Sequence, residues 1–287
     1  MQQVETDDGE IIHVAVGGSG PPIVLLHEWA SNHRVWKPAA RALEPRFTVY
    51  RWDARGHGGH TPQGREPPTV GRMAEDLHRM LDHFGLDRVL LAGHSMGALV
   101  AWEYIARHGC GRLAGLGIID QSPQLVTDAT WRLGIYYDWP RERDAAFVAD
   151  LRRDFVETVV RLVGESRSAA ARARYTDPAD GLWRLRAFMA AADPAPLITV
   201  WQSLTAADWR PVLPRITVPV LLVYGSDSNF YGAETGEFVR DAVPDGRLLV
   251  YPGADHSPHL AEPERFAADL AAFADSLAWP ARPAAGR

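Results

Sequence analysis

Gly93-His94-Ser95-Met96-Gly97 constrains this chain more than any other stretch. It closes the apolar run Val89-Leu90-Leu91-Ala92 and opens the helix-forming run Ala98-Leu99-Val100-Ala101. An unbroken apolar run reads as a strand buried on both faces of a parallel sheet. A serine between such a strand and a helix occupies a tight, strained turn, and the flanking glycines let the two backbones approach. That setting makes Ser95 a candidate nucleophile.

The rest of the chain repeats the same alternation. Val4 to Thr6 and Ile11 to Val16 read as an edge hairpin around Asp7-Asp8-Gly9-Glu10, and Ile23 to Leu26 as a buried strand leading into His27-Glu28-Trp29. The pattern then predicts a helix over 35–43, a strand from Phe47 to Trp52, an amphipathic helix over 73–84, a helix over 97–108 and a strand over 113–119 ending at Asp120. Strand and helix in turn argue for a doubly wound α/β sheet. With 287 residues and 46% hydrophobic content, the chain can bury one large core.

Composition removes several function classes. The net charge of -6, with arginines scattered among acids, gives no basic face for nucleic acid. Cys110 is the only cysteine, so an internal disulfide framework and most thiolate metal sites are excluded. The first residues lack the basic and apolar regions of a signal peptide, and no apolar run reaches membrane-spanning length; a cytoplasmic protein with no membrane partner is expected. His57 and His60 share a glycine-rich turn but lack a third ligand at ligand spacing, so no metal is expected.

Between Gln124 and Asp208 strand signals vanish. Phe147, Leu151, Phe155, Val159 and Val163 recur every four residues and predict one amphipathic helix, with shorter helices over 179–191 and 196–204. The alternation resumes at Val218 with a strand from Val220 to Tyr224, a helix over 233–242, a strand from Arg247 to Tyr251 and a helix over 263–277. The expected division is a core of 1–123 and 209–279, a helical insertion of 124–208 and a frayed tail of 280–287. The insertion is rich in aromatic residues, most of which are expected to pack it against the sheet.

His27-Glu28-Trp29 after a strand, Asp53 to Gly58, Gly93 to Gly97, a helical insertion and a late Gly253-Ala254-Asp255-His256-Ser257-Pro258-His259-Leu260 together resemble the α/β-hydrolase superfamily, over nearly the whole chain. Within it the chain is similar to small-molecule esterases and to the cofactor-free haloperoxidase-like branch. The resemblance implies an eight-stranded, mostly parallel sheet with helices on both faces and a helical cap. It also implies a catalytic triad in chain order serine, acid, histidine.

Under that resemblance His256 is the expected base, since an imidazole is best poised near neutral pH to take a serine proton. His94 is expected to point away from the cleft and His259 to pack against the terminal helix. The family's usual acid position falls on Ser228. Two carboxylates can compensate: Asp120, where some hydrolases of this fold place the acid, and its neighbour on the usual loop, Asp227. Asp120 is favoured and Asp227 is the alternative. The family's oxyanion donors fall on the backbone amides of Trp29 and Met96. Glutamate replaces the family's glycine at Glu28, where backbone strain is expected; the favoured reading is a solvent-facing substitution on a slightly different loop, and a narrowed mouth or a proton-handling carboxylate is the alternative. Glu28, Trp29, Tyr136, Trp139 and Trp183 are the expected substrate-contacting residues. The implied function is cofactor-free hydrolysis of an ester, lactone or thioester of an apolar or aromatic small molecule, through an acyl-enzyme on Ser95. The alternatives are a perhydrolase or haloperoxidase-type activity, a non-hydrolytic lyase or cyclase, and a ligand-binding receptor on the same scaffold.

Overall fold

Strands apolar along their whole length take the middle of the sheet, and the alternating ones take its edge. A computed structural model describes residues 1–279; the tail expected over 280–287 lies outside the described residues. The strands are β1 (Gln2–Glu5), β2 (Ile11–Gly18), β3 (Pro22–Leu26), β4 (Thr48–Asp53), β5 (Val89–His94), β6 (Leu113–Ile119), β7 (Val220–Gly225) and β8 (Gly246–Tyr251). They form one sheet in the order β1-β2-β4-β3-β5-β6-β7-β8. β1, β2 and β4 pair antiparallel, and every other neighbouring pair is parallel. Every residue of β5, β6 and β7 is buried, as the unbroken apolar runs require.

Helices cover both faces. α1 (Lys37–Leu43) and the later α11 (Pro263–Asp275) bury Ala40, Leu43, Phe266 and Leu270 against one face. α2 (Val70–His83) and α3 (Met96–His108) bury Met73, Leu77, Leu99 and Trp102 on the other. α2 starts three residues before the apolar pattern does, because the Thr69 hydroxyl accepts from the Arg72 amide and caps it.

Between β6 and β7 run α4 (Arg141–Arg153), α5 (Phe155–Gly164), α6 (Ala169–Thr176), α7 (Trp183–Met189) and α8 (Pro194–Thr205). The single helix expected through Phe147 and Val163 is two, broken at an extended Asp154 whose carboxylate accepts from the Glu157 amide. An aspartate stabilises a helix start better than a helix interior, so it wins over the continuing apolar period. Beyond the break Leu162 is buried in place of the expected Val163. The helix expected over 179–191 shrinks to α7, because Leu182 before it is left-handed at φ 53°. After β7 come α9 (Ala233–Ala242) and the short α10 (Pro258–Ala261), which precedes the terminal helix α11.

Candidate active site

Packing around the elbow explains its two glycines. A Cβ on Gly93 would come within 2.3 Å of the Gly97 carbonyl, and one on Gly97 within 2.3 Å of the Leu26 carbonyl. Only bare backbone lets β5, α3 and β3 meet so closely. Ser95 itself is held at φ 51°, ψ −116°, outside the regions open to ordinary residues. Such strain persists where the surroundings over-determine it, and it lifts the Ser95 side chain off the sheet edge.

At the neighbouring strand end, Asp120 is fully buried and also has positive φ, at 45°. A carboxylate out of water must be richly hydrogen-bonded. Asp120 Oδ1 accepts from His256 Nδ1 at 2.9 Å and from Ser228 Oγ at 2.7 Å, while Oδ2 accepts from the Gly225 amide at 2.8 Å. Ser228 Oγ in turn accepts from the amides of Phe230 and Tyr231, both at 3.3 Å. Asp227 goes elsewhere: its carboxylate accepts from Ser168 Oγ at 2.7 Å, the hydroxyl that caps α6. Asp120 and His256 are thus brought together, and Asp227 is tied to the helices between β6 and β7.

With Nδ1–H committed to Asp120, the neutral His256 ring presents Nε2 as a lone pair. Neither that nitrogen nor the Ser95 hydroxyl has a hydrogen-bond partner among the described residues, and neither is sealed from solvent. Burial pushes the His256 pKa below its usual 6.5, against the opposing hydrogen bond and charge of Asp120. Its ring meets Phe230 edge-on at 4.5 Å. Phe230 also borders a cavity of about 40 Å³ shared with Ser95, Trp29, Met96, Leu99 and Trp201. The backbone amides of Trp29 and Met96 have no hydrogen-bond acceptor among the described residues, so both are available to a ligand. The loop carrying Trp29 is pinned by His27, whose Nδ1 donates to the Glu28 carbonyl at 2.7 Å and whose Nε2 accepts from the Ala54 amide at 3.1 Å.

Four of the expected substrate contacts do not line the cavity that Ser95 borders. Tyr136 and Trp139 line a separate hollow of about 320 Å³ with Arg143, Phe147 and Arg161, away from Ser95. The Tyr136 hydroxyl donates to the Leu162 carbonyl, and the Trp139 indole donates to Asp144 at 3.1 Å, so both tie helices together. Trp183 is 57% exposed on an outer depression with Arg174 and Asp180. Glu28 does not border the cavity; its carboxylate lies 3.2 Å from His94 Nδ1. Nor does Glu28 carry the expected strain: the left-handed residue of this loop is Ala30, at φ 58°. Trp29 alone of the five lines the cavity, its indole donating to the Leu197 carbonyl at 2.8 Å.

His94 is fully buried and does not border the cavity; its Nε2 donates to the His256 carbonyl at 2.8 Å. His259 packs on Phe266 of α11 and on Trp36. His57 and His60 do not converge: His57 Nδ1 donates to the Arg55 carbonyl, and His60 Nε2 meets Asp53. Burial, with the neighbouring His27, pushes the His57 pKa down to about 3.

Sequence reasoning missed Phe230, Tyr231, Gln121 and Asn229. The Tyr231 hydroxyl donates to Gln121, and Asn229 Oδ1 accepts from the His256 amide at 3.2 Å. All four stand just past the carboxyl ends of β6 and β7, where open α/β sheets place their ligands, and that position was the available signal.

Residues 21–263 match the family model described as the alpha/beta hydrolase fold, and the chain belongs to that family. It is 28% identical to the pimeloyl-[acyl-carrier protein] methyl ester esterase of Vibrio vulnificus, an alignment covering 92% of this chain and 98% of that one. Among solved structures it is similar to an esterase from Exiguobacterium antarcticum, with TM-score 0.83, 23% identity, and coverage of 96% of this chain and 99% of the other. A bromoperoxidase from Bacillus anthracis gives TM-score 0.83 at 22% identity, with the same coverage. At those identities the likeness is one of fold. No helix among the described residues is long and apolar enough to cross a membrane.

Proposed function

We propose that the protein is a serine esterase working through an acyl-enzyme on Ser95. His256 Nε2 takes the Ser95 proton as Oγ attacks the ester carbonyl carbon, and the oxyanion lodges against the amides of Trp29 and Met96, each worth about 3 kcal/mol in such sites. His256 then returns the proton to the departing alcohol, and water repeats the sequence on the acyl group. Asp120 fixes the ring's tautomer and stabilises its charged form. The observation that carries this reading is the Asp120–His256 bond of 2.9 Å, which leaves Nε2 unengaged on a ring packed edge-on against Phe230, a residue that lines the cavity Ser95 borders.

The cavity also bears on the substrate. At about 40 Å³ it is compact, room for a few waters or a small alkyl group, and Leu99, Leu125, Ile135, Trp201 and Leu204 make its wall largely apolar. A small alcohol portion, such as methyl, on an ester of a longer apolar acid is the substrate class we propose. The methyl ester in the relatives' name is of this kind.

The test pairs labelling with turnover. A fluorophosphonate should label the native protein and not Ser95→Ala, and methyl esters of aliphatic acids should be cleaved at least about tenfold faster than their tert-butyl counterparts. Turnover that persists in Ser95→Ala, or native protein that is active yet never labelled, would overturn the acyl-enzyme.

A further inference from the structure

Three side chains from separate parts of the chain meet: Glu28 in the loop after β3, His94 at the end of β5 and His259 in α10. One ligand atom of each lies within 4.8 Å of the other two, and no other such group of histidine, cysteine and carboxylate side chains occurs among the described residues. None of the three borders the Ser95 cavity.

Hydrogen bonds fix what the cluster offers. A carbonyl only accepts, so His94 Nε2 is the donor in its 2.8 Å bond to the His256 carbonyl. In the neutral ring Nδ1 then carries a lone pair aimed at Glu28 Oε2, 3.2 Å away. Two acceptors facing each other at that distance require a positive charge between them. A tetrahedral zinc ion with bonds of about 2.0 Å separates its ligand atoms by about 3.3 Å. Metal-bound imidazoles commonly give their outer N–H to a backbone carbonyl, as His94 does.

His259 is the independent observation. It is 1% exposed, its ring centroid lies 4.5 Å from that of His94, and neither of its nitrogens has a hydrogen-bond partner among the described residues. A buried imidazole left empty at both nitrogens is costly unless something else binds it. The Glu28 side chain, 21% exposed, connects the cluster to solvent and gives an ion its way in.

We propose that Glu28, His94 and His259 bind one divalent cation of the zinc class, with solvent completing its coordination. Two imidazole nitrogens and one carboxylate oxygen are a donor set that zinc accepts. The ion clamps the candidate active site. Glu28 adjoins the Trp29 amide, His94 adjoins Ser95, and the outer N–H of His94 holds the His256 loop. Spacing in the chain conceals the site, because its ligands stand at positions 28, 94 and 259.

The experiment uses the full chain, stripped with a chelator and titrated with zinc chloride by calorimetry, with thermal unfolding followed in parallel. One equivalent should bind at micromolar affinity or tighter and raise Tm. Glu28→Gln and His259→Phe should each weaken binding at least about tenfold while the metal-free far-ultraviolet spectrum stays native. Should His259→Phe fail to fold, Glu28→Gln, at a side chain only partly buried, decides alone. Failure of the native protein to bind zinc would mean that a proton bridges Glu28 and His94 and would overturn the proposal. So would zinc binding that is unchanged in the folded variants, as expected of a site elsewhere.

Discussion

The loops that leave β6 and β7 begin on adjacent strands, and each carries an aspartate near the same sheet edge. Asp120, at the end of β6, is fully buried, left-handed and surrounded by three donors. Asp227, in the β7 loop, is half-buried and holds a capping hydroxyl at the start of α6. The β7 loop still serves the histidine, through the Ser228 hydroxyl on Asp120 and through Asn229 on the His256 backbone. A carboxylate supports an imidazole from whichever strand end can shelter and satisfy it. The loop that gives up the charge keeps the hydrogen bond.

The largest expected effect tests that contrast directly. Asp120→Asn should lower kcat on an activated methyl ester by about 10⁴-fold, as losing the acid of a triad does, whereas Asp227→Asn should stay within a few-fold of the native rate. The opposite ranking would break the comparison. Next in size is a transplant: placing the carboxylate on the β7 loop, as Asp120→Asn with Ser228→Asp, should recover roughly 10–100-fold over Asp120→Asn alone, read as kcat at neutral pH. No recovery would mean that the β7 loop cannot aim a carboxylate at His256.

A smaller effect concerns pH. Burial holds the His256 pKa below 6.5 more strongly than Asp120 raises it. The base therefore stays neutral down to below that value, and the acid limb of kcat/KM should lie under pH 6.5. A limb above 6.5 would show the charge of Asp120 outweighing burial. Smallest of all, Asp227→Ala, which removes the acceptor of the Ser168 hydroxyl, should lower stability by about 0.5–1.5 kcal/mol, seen as a shift in the urea midpoint.

Much of this was legible in the chain. The unbroken runs 89–94, 113–119 and 220–224 announced central strands, since a residue buried on both faces of a sheet must be apolar at every position. Gly93 and Gly97 announced the close meeting of three backbones. Cap geometry was less legible. Asp154 divides one apolar period into two helices, and Ser168 starts α6 over an alanine-rich run that hides its direction of burial. Trp183, Tyr136 and Trp139 were aromatic and well placed in sequence, but aromaticity does not say which hollow a ring faces.

Local patterning, which depends on neighbours a few residues apart, determined the strand-helix alternation, the serine on its strained turn and the late histidine as its expected partner. Tertiary structure alone decided between Asp120 and Asp227 as the neighbour of His256, set Glu28 against His94, and assembled Glu28, His94 and His259. Those outcomes depend on which loops the sheet order sets side by side, across 136 residues for Asp120 and His256. Separation of that kind leaves no period to read, because hydrogen bonds to a buried charge are settled only after the strands have packed.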